Sequence, residues 1–452
     1  MHAILASLGL DMIKTILPLC SIISLRFLGL FLVLPVISVY AMSLKGANIE
    51  LVGIVVGAYA LTQMLFQLPF GILSDKMGRK GTIIMGLILF AIGSALCAVS
   101  VDILTLLLGR LLQGAGAIGA VVTAMISDIV KEEQRPKAMA IMGGSIALSF
   151  ALSMFFGPLI AAFTGVEVLF WLTAFFALAS IYIIIKEVPT PPTITHTYND
   201  ALKIGPVLKD ANLIKMNITN FLQKGLMTFA FMIIPIVLLN NYEWDFKELY
   251  KVYIPAMIFG VLAMAPAVIL AEKKGLFKEV LVIGIVLFAL SYLLIGYSAS
   301  ALIFSFGVVI FFVGFNMHEP IMQSLTTKFA KVHQRGMVLG IFNSFGYFGT
   351  FIGGLLGGMY FNEIAMDSIV TTITIICFVW AILIILMPNP MKKQVAYIHL
   401  DTIKNANYEP LKNHSSIDEW YINENEQLLI VKYDKDSLNE EQIRALLKQK
   451  NT

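Results

Sequence analysis

The sequence predicts an all-α membrane protein: twelve transmembrane helices in two bundles of six, followed by a small C-terminal α+β module. Three observations carry that prediction. Hydrophobic residues make up 58% of the 452 positions and charged residues only 13%, more apolar side chain than water-soluble chains carry. Twelve apolar runs follow one another, each close to the roughly 20 residues that a bilayer core requires. From about residue 391 the apolar character stops, and short segments of strand and helix pattern replace it.

The apolar runs lie near 15–40, 51–73, 81–99, 103–127, 138–162, 167–186, 216–240, 250–271, 279–297, 300–325, 336–361 and 368–387. The first lacks a small-residue cleavage site and reads as a retained span rather than a signal peptide. Pro189, Pro191, Pro192 and a polar stretch separate the sixth run from the seventh, and Ala201–Lys215 reads as an interfacial amphipathic helix. The expected organisation is therefore a first bundle over 1–186, a linker over 187–215, a second bundle over 216–390 and the module over 391–452. Lysine and arginine crowd one set of loops (Lys76, Arg79, Lys80, Lys131, Arg135, Lys137, Lys186, Lys203, Lys209, Lys215, Lys273, Lys274, Lys278, Lys328, Lys331, Arg335) against Lys45, Lys247 and Lys251 in the other. This bias puts both termini and the linker in the cytoplasm.

Net charge is +3, with no basic or acidic tail, so nothing points to nucleic acid. Cys20, Cys97 and Cys377 lie far apart inside apolar runs and read as small hydrophobes, without a disulfide framework or metal site. In the module, Val395–Leu400, Ile417–Ile422 and Gln427–Tyr433 read as strands, the last two joined by Asn423-Glu424-Asn425-Glu426, and Glu440–Lys448 as a helix. This resembles a ferredoxin-like unit without its last strand.

Charges inside the spans mark the candidate site. Arg26 is near the middle of span 1, Arg110 lies within span 4, Lys224 is within span 7, and Glu319 sits in span 10 beside His318. A charge at such depth costs about 2.5–3.5 kcal/mol on insertion scales, so it faces protein or water. Polar residues recur at helical spacing: Tyr59, Gln63 and Gln67 on span 2; Asn217, Asn220, Lys224 and Thr228 on span 7; Asn316, Glu319, Gln323 and Thr327 on span 10. One polar face on an apolar helix reads as a wet cavity or as an interhelical hydrogen-bond seam. Plainer alternatives stand beside the cavity reading: Lys224 snorkels, the arginines meet carbonyls, and His318 packs.

Between spans 2 and 3 runs Gly71-Ile72-Leu73-Ser74-Asp75-Lys76-Met77-Gly78-Arg79-Lys80. Topology alone requires neither its glycines nor Asp75. With two groups of six spans, this turn resembles the major facilitator superfamily. Ser24-Leu25-Arg26-Phe27-Leu28-Gly29-Leu30, Gly109-Arg110-Leu111-Leu112-Gln113-Gly114 and the C-terminal module extend the likeness to the YajR-type transporters of its drug/proton antiporter group. Gly144 through Gly157-Pro158 on span 5 resembles the antiporter signature, with Ala161-Ala162 where the pattern continues in glycines.

The resemblance implies a transporter rather than an enzyme, working as a monomer in a cytoplasmic membrane, with a small-molecule substrate, a proton gradient as driving force and no cofactor. It implies a conformational latch of Gly71, Asp75, Gly78, Arg79, Lys80 and Asp128, in which Asp75 faces the positive N-terminal end of span 11 near Gly336. It also implies a central cavity lined by spans 1, 4, 7 and 10. The expected lining is Arg26, Tyr59, Gln63, Gln67, Arg110, Gln113, Lys224, His318, Glu319 and Gln323, with Glu319 as the titrating group. In the second bundle, Ala271-Glu272-Lys273-Lys274-Gly275 reads as a decayed copy of the turn, making the latch one-sided. Span 1 carries Arg26 and no acid, unlike multidrug exporters that rely on an acid there. The cationic excess over Glu319 predicts an anionic or zwitterionic amphipathic substrate. An importer of an organic acid or sugar, and a non-transporting sensor, remain the alternatives.

Overall fold

In the computed structural model, residues 10–189, 204–331, 334–360, 366–389, 393–403, 406–412, 414–424 and 426–447 are described. Twelve helices among them are long and apolar enough to cross a membrane: Met12–Leu32, Ile49–Met77, Arg79–Ala98, Ile103–Ile129, Lys137–Thr164, Val166–Lys186, Ala211–Tyr242, Phe246–Lys273, Phe277–Gly296, Ala301–Phe329, Arg335–Met359 and Ser368–Ile385. They are spans 1–12 below. The basic loops gather at one end of the bundle, called here the basic end.

Several spans depart from the uniform helices that hydropathy suggests, and each departure has a local cause. Span 1 breaks after Leu32 and resumes as Ile37–Met42, because Pro35 removes a backbone donor from an apolar run. Gly157 of span 5 lies against the Leu32 carbonyl at that break. Span 4 is two helices, Ile103–Ala115 and Gly119–Ile129, with the chain unwound at Gly116. Span 8 ends in a π-helical turn, Ile269–Lys273. Between spans 2 and 3 the chain reverses through Gly78 at φ +87°, a conformation that side-chain-bearing residues rarely adopt.

The linker differs from expectation. Ile204–Lys209 forms a six-residue helix, and span 7 starts at Ala211 rather than 216. Asp210 explains the early start: its carboxylate accepts from the Asn212 and Leu213 amides, an N-cap that hydropathy does not register. Residues 211–215 are thus the first turn of span 7. Pro191, Pro192 and residues 201–203 lie outside the described residues. Val207 joins Leu213, Ala330 and Val338 in a small apolar cluster at the basic end.

The module is a three-stranded antiparallel sheet in the order β1-β3-β2: β1 Lys393–His399, β2 Ile417–Asn423 and β3 Leu428–Asp434. A short helix, Glu409–Lys412, precedes β2, and Glu440–Leu447 follows β3. This is the β-α-β-β-α run of a ferredoxin-like unit. Leu429, Val431 and Tyr433 alternate onto the face that packs against Ile443 and Leu447. Asn425 of the connection between β2 and β3, and Lys448, lie outside the described residues.

Candidate functional site

The first half holds its buried charges with neutral partners. Unwinding span 4 frees the Gly116 carbonyl, and the Arg26 guanidinium donates to it at 3.0 Å and to the Gln63 side-chain oxygen. The Phe27 and Phe90 rings flank the same cation. Arg110 donates to Gln113 at 2.9 Å and stands 4.5 Å from the centre of the Tyr59 ring. Gln113 passes the chain on to the Ser94 hydroxyl at 2.9 Å. Gln63 also approaches Gln67 at 3.4 Å.

All six of these side chains are buried. Arg26, Arg110, Tyr59, Gln63, Gln67 and Gln113 therefore form an internal network in this conformation, not the open wall of a cavity. The reason is the break in span 4, which supplies the carbonyl that the plainer reading of Arg26 required. The network reaches the second half at span 11, where Tyr347 lies beside Gln63 and Thr350 beside Tyr59. Both were missed, since an aromatic and a threonine in a glycine-rich apolar span read as packing.

The second half presents an ion pair. Lys224 on span 7 donates to both carboxylate oxygens of Glu319 on span 10, at 2.9 and 2.8 Å. Their side chains keep 21% and 20% exposure, so solvent reaches the pair. Gln223 donates to Glu319 at 3.3 Å, and Phe315 lies under the Lys224 ammonium. Gln223 also escaped the sequence reading, because it lies off the polar stripe. His318 turns the other way. It is fully buried, with Nε2 2.7 Å from the Leu281 carbonyl and its ring between Phe288 and Trp380. Its expected place in the cavity lining is corrected to packing against span 9. Gln323 faces span 5, where a methyl group on Gly143 would sit 3.7 Å from its oxygen. Gly144 itself borders open space, whereas Gly157 and Pro158 lie at the span 1 break.

At the basic end, Arg79 is the centre of a cluster. It donates to Asp75 at 2.6 Å, to the Ser74 hydroxyl at 2.6 Å and to Asp128 at 2.8 Å. The structure thus brings together Asp75, Arg79 and Asp128 from spans 2, 3 and 4. Ser74, itself tied to the Gly71 carbonyl, is an addition to the expected set. Lys80 joins none of these contacts. Asp75 is 65% exposed, and among the described residues its partner is Arg79 rather than span 11. The second half carries an equivalent with the charges exchanged. Glu272 at the end of span 8 pairs with Lys328 at 2.7 Å and accepts from Ser324, both at the end of span 10. This corrects the expectation of a decayed turn: here the acid is central and the cation peripheral.

The two halves meet at the end away from the basic loops. A methyl group on Gly53 would fall 2.6 Å from the Gly358 Cα, and one on Gly57 would fall 2.9 Å from the Phe351 Cα and carbonyl oxygen, so spans 2 and 11 touch backbone to backbone. Ser38 donates to the Phe231 carbonyl nearby. Toward the basic end, the same two spans carry Gly71, Gly336 and Gly340 with nothing within 4 Å.

A family model described as Major Facilitator Superfamily matches residues 19–277 and 216–420. The chain belongs to the major facilitator superfamily. Among its relatives, the inner membrane transport protein YajR of Escherichia coli is 34% identical over 95% of this chain and 96% of its own length, which makes this a YajR-type member and a membrane transporter. Quinolone resistance protein NorA of Staphylococcus aureus is 30% identical over 75% of this chain and 88% of its own. The solved human organic anion transporter MFSD10 superposes with a TM-score of 0.63 at 18% identity, covering 82% of this chain and 99% of that one, a likeness of fold.

Proposed function

We propose that this transporter exports small amphipathic molecules in exchange for protons, by alternating access across an inner membrane, as a monomer without a cofactor. The observation that carries the reading is the Lys224–Glu319 pair, a partly exposed carboxylate and ammonium within the spans. Such a pair has two chemical uses. Protonating Glu319 releases Lys224, and a substrate bearing both charges can separate the pair by meeting each member. A zwitterion thus competes with the proton for Glu319, which is the condition for exchange. A purely anionic substrate would bind Lys224 while Glu319 held a proton, which favours cotransport and the importer alternative. Arg26 and Arg110 are buried within the first half, so the substrate-charge reading now rests on Lys224 and Glu319. The relative described as an inner membrane transport protein supports an inner membrane, and export fits the likeness to a quinolone resistance protein.

With the basic end cytoplasmic, the conformation is open inward. Rocking of two six-helix bundles around a central site would close that end. Asp75, exposed now, would then meet the N-terminal turn of span 11, whose dipole favours a carboxylate. Uptake into everted vesicles, with a pH-sensitive dye inside, tests the function. Zwitterionic amphiphiles should enter and release protons, and Glu319→Gln should stop the proton movement. Solute movement in the opposite direction would favour an importer, and no flux for any solute class would favour a sensor.

A further inference from the structure

The C-terminal module touches both halves of the transporter, by two attachments of different strength. Lys432 projects from β3, is 7% exposed, and donates to the Lys328 carbonyl at 3.0 Å and the Ala330 carbonyl at 2.8 Å. Span 10 ends at Phe329, so the Lys328 carbonyl is one of the groups a helix C-terminus leaves without a partner. A cation there satisfies that carbonyl and the helix dipole together. Burial, and then Arg335, push the Lys432 ammonium below the usual lysine range, while Glu419 and Asp418 act the other way.

On its other flank the module meets the connection between spans 4 and 5. Glu426 lies 3.7 Å from Arg135, and His399 lies 3.4 Å from Glu133. Both contacts are long and partly exposed. The first is of the class of ion pair that contributes least, and the second is a polar contact that becomes an ion pair only with a charged imidazole. One small folded unit therefore links the two bundles at the end where they stand apart.

We propose that the module is a clasp, anchored on the second half by Lys432 and engaging the first half through Glu426 and His399 only while the basic end is open. This inference rests on the proposed rocking of the two halves. Rocking changes the distance between the span 4–5 connection and the end of span 10. A rigid module holds both only in one state, and the exposed contacts break before the buried lysine does. The clasp thereby favours the open state shown, and it tunes the transport cycle without taking part in substrate binding.

The test uses the full chain, with fluorescent donor and acceptor on Lys186→Cys and Lys274→Cys, exposed positions at the basic end of each half. Single-molecule energy transfer then reports whether that end is open. Glu426→Arg should deplete the open state about two- to fivefold, the scale of an exposed pair, and adding Arg135→Glu should restore it. The restoration is the decisive arm, because Arg135 also donates to the Ser127 carbonyl. In a Lys432→Met background, Glu426→Arg should have no further effect, since the anchor is gone. Effects of the two charge reversals that add instead of cancelling would overturn the clasp, as would two visible states whose populations neither reversal moves. A single unchanging state in every variant would overturn both the rocking and the clasp.

Discussion

The two ends of the bundle are held by different forces. Away from the basic loops, Gly53 and Gly57 of span 2 lie against Phe351, Gly354 and Gly358 of span 11, and the halves touch through backbone. At the basic end each half ties its charges to itself, Arg79 to Asp75 and Asp128 in the first, Glu272 to Lys328 in the second. Close packing depends steeply on distance, whereas ion pairs exchange partners. The contrast teaches that one end is sealed by shape, whereas at the other the charges of each half stay paired within that half. Gly71 and Gly340 extend it: each lies fourteen residues, about four turns, from Gly57 and Gly354, so they bring nearly the same helix faces to the unsealed end.

The largest effect is expected from breaking the seal. Gly57→Leu forces a side chain into the span 11 backbone, and overpacking of this kind costs about 1–3 kcal/mol. It should shift the population about five- to hundredfold toward opening at that end, read as new labelling of cysteines placed beside the seam. No gain in labelling would remove the packing account. Gly340→Leu is the mirror test. Its site is empty in the open state, so stability should hold while closure at the basic end is obstructed and turnover falls about tenfold. Unchanged turnover would show that spans 2 and 11 do not meet there.

Those glycines show how much was legible. The twelve spans were, because a bilayer imposes a length that composition alone satisfies. The grouping of Asp75, Arg79 and Asp128 came from the resemblance alone, since no local pattern joins the turn to the end of span 4. The break in span 4 was not legible, since Gly114-Ala115-Gly116 reads equally as small-residue packing until Arg26 is found donating to its carbonyl. Glu272 looked like decay because Lys328 lies 56 residues away, a separation that no local pattern reports. Lys432 lies in a strand of the soluble module, and only the tertiary structure takes it to span 10.

The charge clusters should give smaller effects. Asp75→Asn removes a mostly exposed carboxylate, and it should shift accessibility toward the open basic end about two- to fivefold. Combined with Arg79→Ala the effects should fall short of additive, because both act in one network. Full additivity in a labelling assay would separate Asp75 from the latch. Glu272→Gln should be smallest, below about twofold, since its pair lies within one half. A shift as large as that of Asp75→Asn would mean that the second half's cluster also re-pairs on closing.

The central claim is that Glu319 couples protons to the exchange between these ends. Spin labels across the basic end, one on each half, report the separation of the halves without any knowledge of the substrate. In the parent protein, the distance distribution should change between acidic and alkaline buffer as Glu319 gains and loses its proton and Lys224 is released and recaptured. In Glu319→Gln the distribution should be the same in both buffers. A full pH-dependent shift that survives Glu319→Gln would place the proton elsewhere and contradict the account.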